Sequence, residues 1–197
     1  MSPEQPTTRE KAGARARLAP VLMRRAAIMP RDPWFSRDVW RKRGNVTPEE
    51  KLAELGIVLP EPKPFHPAAA LGVISGNLLY LSGSTPPPVD GVPWDGRVGE
   101  TYTVEQGYEA ARLCAIQQIA TAKVLLGDLS RIQRVVKILG MVNCTPGFRD
   151  TPAVIHGFSE FMHEVFGERG VHARSAVGLQ ALPGNVPVEI ETIFEIS

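Results

Sequence analysis

Arg174 opens residues 174–180, where strand alternation places Arg174, Ala176, Gly178 and Gln180 on one face and Ser175, Val177 and Leu179 on the other. An arginine followed on its own face by alanine and glycine has open space beside it. Guanidinium is a planar fork that holds a carboxylate by two hydrogen bonds, so the pattern suits an anchor for a small acid; a sheet-edge ion pair is the plainer use of the same residue. On the last strand Val188, Ile190, Thr192 and Phe194 form an apolar face and leave Glu189, Glu191 and Glu195 opposite. Such a row is a solvated surface, a wall facing another subunit, or, for some of its members, a means of positioning water against a bound carbonyl or imine carbon. Composition does not choose which Glu.

Ser82, Ser84 and Thr85 follow a strand beside Gly83, where hydroxyls or amides could contact a ligand carboxylate. There is no G-x-S-x-G elbow to make a nucleophile of a serine. His156, Glu160, His163 and Glu164 fall roughly on one helix face. His156 and His163 stand about 10 Å apart along the axis at ~1.5 Å per residue, too far to share one ion, so a solvated polar face is expected and no metal. Cys114 and Cys144 have no metal-type spacing and are too few for a disulfide framework; Cys144, after Asn143, is expected to be a partly buried structural cysteine.

The elements that must position these residues begin at Thr47. Thr47-Pro48-Glu49-Glu50 is a capping box with proline at the first helical position, predicting a short helix to Gly56. Residues 59–67 are proline-rich and extended. Residues 71–74 and 78–82 flank Ser75-Gly76-Asn77 and read as a hairpin, with Gly and Asn available for positive φ. Residues 84–99, with Pro86-Pro87-Pro88, read as an irregular rim or gate. Thr103-Val104-Glu105-Gln106 is a second capping box, and Tyr108, Ala111, Ala115, Ile119, Ala122 and Leu126 then form the stripe of a long helix ending at Gly127. A strand over 135–142 follows, and then a helix opened by Asp150-Thr151-Pro152, striped by Val154, Phe158, Phe161 and Val165, and closed by Gly167. Strands over 174–180 and 187–196, joined by Leu182-Pro183-Gly184-Asn185, complete an α+β layer with both helices on one sheet face.

The 197-residue chain carries 22 Lys+Arg against 21 Asp+Glu, and that balance conceals an asymmetry. Residues 1–45 hold 11 basic against 4 acidic side chains, and the remainder 11 against 17. A domain over 46–197 is therefore mildly acidic, and only the arm over 1–45 could seek an acidic partner. The arm lacks periodicity and reads as poorly ordered, with one short helix within 20–28. Its Trp34, Phe35 and Trp40 among Arg31, Arg37, Arg41, Lys42 and Arg43 suit nucleic acid or an anionic membrane, a strap onto a neighbouring subunit, or a stretch upstream of a true start near Val46-Thr47; strap or start is the reading favoured here. No apolar run approaches the ~18 residues of a membrane span, and a cytoplasmic location is expected.

His172-Ala173-Arg174-Ser175, then Leu182-Pro183 and Val186-Pro187-Val188-Glu189-Ile190-Glu191, closely resemble the signature of the reactive-intermediate deaminase (Rid, YjgF or L-PSP endoribonuclease-like) superfamily. Gly76-Asn77-Leu78-Leu79-Tyr80-Leu81-Ser82-Gly83, Val104-Glu105-Gln106-Gly107-Tyr108-Glu109-Ala110-Ala111, Arg134-Val135-Val136-Lys137 and Val142-Asn143 extend the likeness over residues 47–197.

The resemblance implies a chorismate-mutase-like fold, a homotrimer with ligand pockets at the subunit clefts, and hydrolysis of enamine or imine acids to 2-keto acids and ammonia without metal or organic cofactor. By the same resemblance Arg174 is the carboxylate-binding arginine, Glu189 the glutamate that orients water, and His156 and Ala176 fall at pocket positions, while Ser82 and Gly83 read from their own place after the strand as a pocket edge shaped by backbone. Ala176 replaces a family cysteine, His156 a family asparagine, and 66–70 (His66 to Ala70, with Ala69) the approach that carries a family tyrosine; these departures mark a divergent branch. The alternative is a non-catalytic trimer that binds a carboxylate metabolite as a sensor or partner-binding module. Nucleic acid is not expected as substrate, because an acidic domain offers neither a basic groove nor a stacking platform.

Overall fold

The computed structural model describes residues 46–197. The basic arm, its short helix within 20–28 and its two tryptophans lie outside the described residues.

Local signals start each helix. The Thr47 hydroxyl accepts from the Glu50 amide at 3.2 Å while the Glu50 carboxylate accepts from the Thr47 amide at 2.8 Å, which opens α1 (Pro48–Glu54). Thr103 and Gln106 repeat the exchange at the start of α2 (Val104–Leu126). Asp150 precedes α3 (Thr151–Phe166) without a side-chain capping bond, so Pro152 and the buried stripe carry that start. Gly167, at φ +58°, ends α3 in a conformation that side chains disfavour.

The strands are β1 (Gly72–Ser75), β2 (Leu78–Ser84), β3 (Ile132–Asn143), β4 (Ala173–Leu179) and β5 (Val188–Ile196), in the sheet order β1-β2-β5-β3-β4. Of these five strands only β3 and β4 pair in parallel, with α3 as their crossover. In the β1–β2 hairpin Gly76 takes φ +60°, whereas Asn77 is not among the positive-φ residues. β3 runs longer than the apolar run predicts, because Ile132 and Asn143 are buried at its ends.

Both long helices cover one face of the sheet, as expected. Ala111, Ala115, Ile119 and Ala122 of α2 and Val154, Phe158 and Phe161 of α3 pack with Leu79, Leu81, Ile138, Val142, Ile190 and Phe194. The alanine stripe and Gly157 permit a close approach: a Cβ on Gly157 would fall on the Tyr108 carbonyl oxygen. Tyr108 leaves the predicted stripe and stands half-buried, its hydroxyl donating to Glu160 of α3 at 2.6 Å.

Residues 84–99 have no helix or strand beyond the end of β2, but they are pinned rather than gate-like. Trp94 is buried and its Nε1 donates to the Pro87 carbonyl at 3.0 Å, Val98 is fully buried, and the Gly96 amide donates to the Asn185 carbonyl at 2.8 Å. Among the described residues no helix is long and apolar enough to cross a membrane.

Candidate functional site

Strand alternation and burial settle the faces of the sheet. Val188, Ile190, Thr192 and Phe194 are buried beneath the helices, so Glu189 and Glu191 point to the opposite, open face. Arg174 goes the other way. It pairs in register with buried Ile138, and its guanidinium reaches α3, on the helix side. Arg174 and Glu189 therefore lie on opposite faces of one chain's sheet, and a single subunit does not bring them to one ligand.

The first group gathers at the free edge of β4. Arg174 Nη1 donates to Ser159 Oγ at 3.0 Å, and Nη2 lies 3.1 Å from His156 Nδ1 and 3.5 Å from the Pro152 carbonyl. A guanidinium only donates, so His156 Nδ1 accepts and its proton sits on Nε2. Burial and the Arg174 charge hold the His156 pKa down, with Glu160 pulling the other way. Burial also lowers the Arg174 pKa, from so high a start that the group stays charged. Ala176, next along this face, packs against the core edge, and its carbonyl accepts from Thr151 Oγ1 at 3.2 Å.

The second group lies where β2 meets β5. Between Leu81, paired with Thr192, and Ser84, paired with Ile190, both Ser82 and Gly83 oppose Glu191, which makes a β-bulge. The bulge brings Gly83 against Glu189 so closely that a Cβ there would fall on the carboxylate. Burial first, then the neighbouring Glu191 charge, raise the Glu189 pKa above its ordinary value. Ser82 is placed beside this group, but its donors are committed: the hydroxyl donates to the Ala70 carbonyl at 2.7 Å and the amide to the Leu71 carbonyl at 3.0 Å. These bonds hold residues 70–71 against the Ser82-Gly83 edge, whose shape is set by backbone.

Gln118 has no apolar signature and sits unremarked within α2, yet it is completely buried and organises the bulge. Its Nε2 lies within donating distance of the Ser82 carbonyl at 2.8 Å, Ser84 Oγ at 3.0 Å and the Ile190 carbonyl at 2.8 Å. Its spacing is the signal that could have found it: Gln118 stands three residues after Ala115 and four before Ala122, in line with the buried stripe, whereas Gln117 beside it is off that line. Ser159 and His172 are the other additions, at the Arg174 edge.

The helix-face grouping of His156, Glu160, His163 and Glu164 needs correction. His156, Glu160 and Glu164 are exposed, whereas His163 is buried, because the turn Gly167–Gly170 folds back and sets Gly170 against the backbone of Met162 and His163. Among the described residues no group of three His, Cys, Asp or Glu side chains could hold a metal ion. Cys114 and Cys144 are both buried and free, and burial pushes both thiols up, away from the reactive thiolate.

Comparison with known proteins places these groups in context. A family model described as "YjgF/chorismate mutase-like, putative endoribonuclease" matches residues 49–191. A Trypanosoma cruzi protein, TCP17, is 39% identical over 147 residues, which cover 74% of this chain and 92% of that protein. The crystal structure of an Agrobacterium tumefaciens protein of unknown function is 42% identical with a TM-score of 0.69, over 76% of this chain and 92% of the other. That of a Shewanella oneidensis protein named as a putative endoribonuclease is 31% identical with a TM-score of 0.73, over 77% and 100%.

Proposed function

Because the chain belongs to the YjgF/chorismate mutase-like family, we propose that it hydrolyses small enamine or imine acids to 2-keto acids and ammonia, at sites shared between subunits of a homotrimer. The unit to which we assign this reaction is residues 46–197; residues 1–45 contribute 11 basic against 4 acidic side chains to the sequence. The observation that carries the reading is the separation of Arg174, at the β4 edge, from Glu189, on the open sheet face, since a second copy laid edge to face supplies what each lacks.

In such a site Arg174 neutralises and aligns the substrate carboxylate. A protonated imine carbon is already electrophilic. Water adds to it as Glu189 accepts a water proton; that proton is returned to the carbinolamine nitrogen, the C–N bond breaks to release ammonia, and Glu189 takes the hydroxyl proton as the keto acid's carbonyl forms and passes it on to the ammonia, which leaves as ammonium. The raised Glu189 pKa suits a carboxylate that must take and return a proton.

A ribonuclease reading finds less support. Residues 46–197 carry 17 acidic against 11 basic side chains, and β5 turns Glu189, Glu191 and Glu195 to the open face, where they repel phosphate.

The test is release of ammonia and keto acid from freshly generated 2-iminoacids, by wild type and by Arg174→Ala. Release by the wild type that is lost in the variant is expected. Saturable pyruvate binding without turnover on any iminoacid would instead identify a carboxylate-binding module. Neither turnover nor binding would remove Arg174 as an anchor.

A further inference from the structure

An arginine on an edge strand has four side-chain torsions and no intrinsic reason to hold one direction. A fork that must present fixed donors to an anion needs something rigid behind it. Behind Arg174 a chain of hydrogen bonds runs inward. His172 Nδ1 lies 2.6 Å from the Gly170 carbonyl oxygen, which can only accept, so Nδ1 carries the proton. In the neutral ring Nε2 is then an acceptor, and Ser159 Oγ, 3.1 Å away, donates to it. With its proton so directed, Ser159 offers its lone pairs to Arg174 Nη1 at 3.0 Å.

Each link has one allowed polarity. The inner end is also mechanically fixed: His172 stands edge-on to buried Phe158, 6.3 Å between centroids at 84°, and Gly170 is wedged against Met162, whose carbonyl a Cβ would strike.

We propose that Ser159 and His172 are positioning residues that lock the Arg174 fork and, through it, hold His156 as the Nε2–H tautomer. Resting on the reading of Arg174 as a carboxylate anchor, the relay explains how one edge arginine offers a defined grip. Arg174 keeps Nε–H and one Nη1–H without a partner among the described residues, and the 3.5 Å contact to Pro152 is the one an anion would displace. Burial, together with the Arg174 charge, opposes protonation of His172, and the Gly170 bond acts against them, with a net downward shift. That keeps the acceptor at Nε2 available near neutral pH.

The test uses the full chain with 15N-labelled histidine and pyruvate as probe. In the wild type, imidazole nitrogen shifts should report Nδ1–H for His172 and Nε2–H for His156. Ser159→Ala should keep its circular dichroism, weaken pyruvate about tenfold, and let His156 relax to mixed tautomers. Ser159→Thr and His172→Gln, which retain the hydroxyl and an acceptor at the Nε2 position, should stay near wild type, whereas His172→Leu should match Ser159→Ala. The relay is overturned by a proton on His172 Nε2, or by Ser159→Ala that leaves both the His156 tautomer and the affinity, to within about twofold, unchanged. If wild type binds no pyruvate, the carboxylate-anchor reading falls, and the His172 and His156 tautomers in wild type and Ser159→Ala still decide the relay.

Discussion

Gly83 and Glu189 meet across the β2–β5 pair at a distance that only a missing side chain permits. The glutamate's direction is set by an absence on the neighbouring strand. Gly83 is not among the positive-φ glycines, so alanine is tolerated by the backbone and acts only on the carboxylate. Gly83→Ala should keep the fold and lower iminoacid turnover by about tenfold or more, because a carboxylate moved by about an ångström no longer holds water in line. In a Glu189→Gln background the same change should cost nothing further; an additive loss would mean that Gly83 acts elsewhere.

Glu189 should also set the acid limb of the pH–rate profile. Burial and the Glu191 charge raise its pKa, so activity that needs the ionised form fails on the acid side earlier than an ordinary carboxylate would dictate. Glu191→Gln removes the like charge and should shift that limb to lower pH. Glu189→Gln should reduce kcat by about a hundredfold, and a limb that survives it belongs to another group.

Gln118→Leu should destabilise the protein by about 1–3 kcal/mol, since the buried Ile190 carbonyl and the partly buried Ser82 carbonyl lose their donor. Urea unfolding measures this. A loss under about 0.5 kcal/mol would show that the bulge does not depend on the glutamine.

Glu49 joins α1 to the rest of the fold, its carboxylate accepting from Lys123 Nζ at 2.7 Å and from the Leu129 amide at 2.8 Å. Burial alone would raise its pKa, but these bonds outweigh that, and the net shift is downward. A lowered folded-state pKa gives stability that is complete above the unfolded value and disappears as pH falls through the folded one. Glu49→Gln should therefore be less stable than wild type at pH 7 and converge with it in acid. A gap that persists in acid would locate the effect in something other than charge.

What could be read from the chain was whatever is decided locally. The capping boxes at Thr47 and Thr103, the α3 stripe through Phe158 and Phe161, and the alternation of Val188 to Phe194 each depend on residues within a turn or two. The order that puts β5 between β2 and β3 depends on partners more than a hundred residues apart in one case, and no local pattern encodes it. The same holds for the site. Alternation gave Arg174 and Glu189 a face each, but which face lay beneath the helices required α3 to be placed over β4. Helical periodicity put His163 with His156, until the turn at Gly170 covered one and not the other. Gln118 escaped because a buried polar side chain is meaningful only beside the carbonyls it serves.

The division of Arg174 and Glu189 between two faces has a genetic consequence. A subunit crippled at Arg174 still displays an intact glutamate, and one crippled at Glu189 an intact arginine. In the proposed trimer, two inactive proteins unfolded together and reassembled would rebuild a whole site wherever unlike neighbours meet in the one order that joins an intact arginine to an intact glutamate: about a quarter of the sites in an equal, random mixture. In the proposed assembly the catalytic unit would be the junction between two chains, and dominance or rescue among alleles would follow the direction in which the subunits face round the ring.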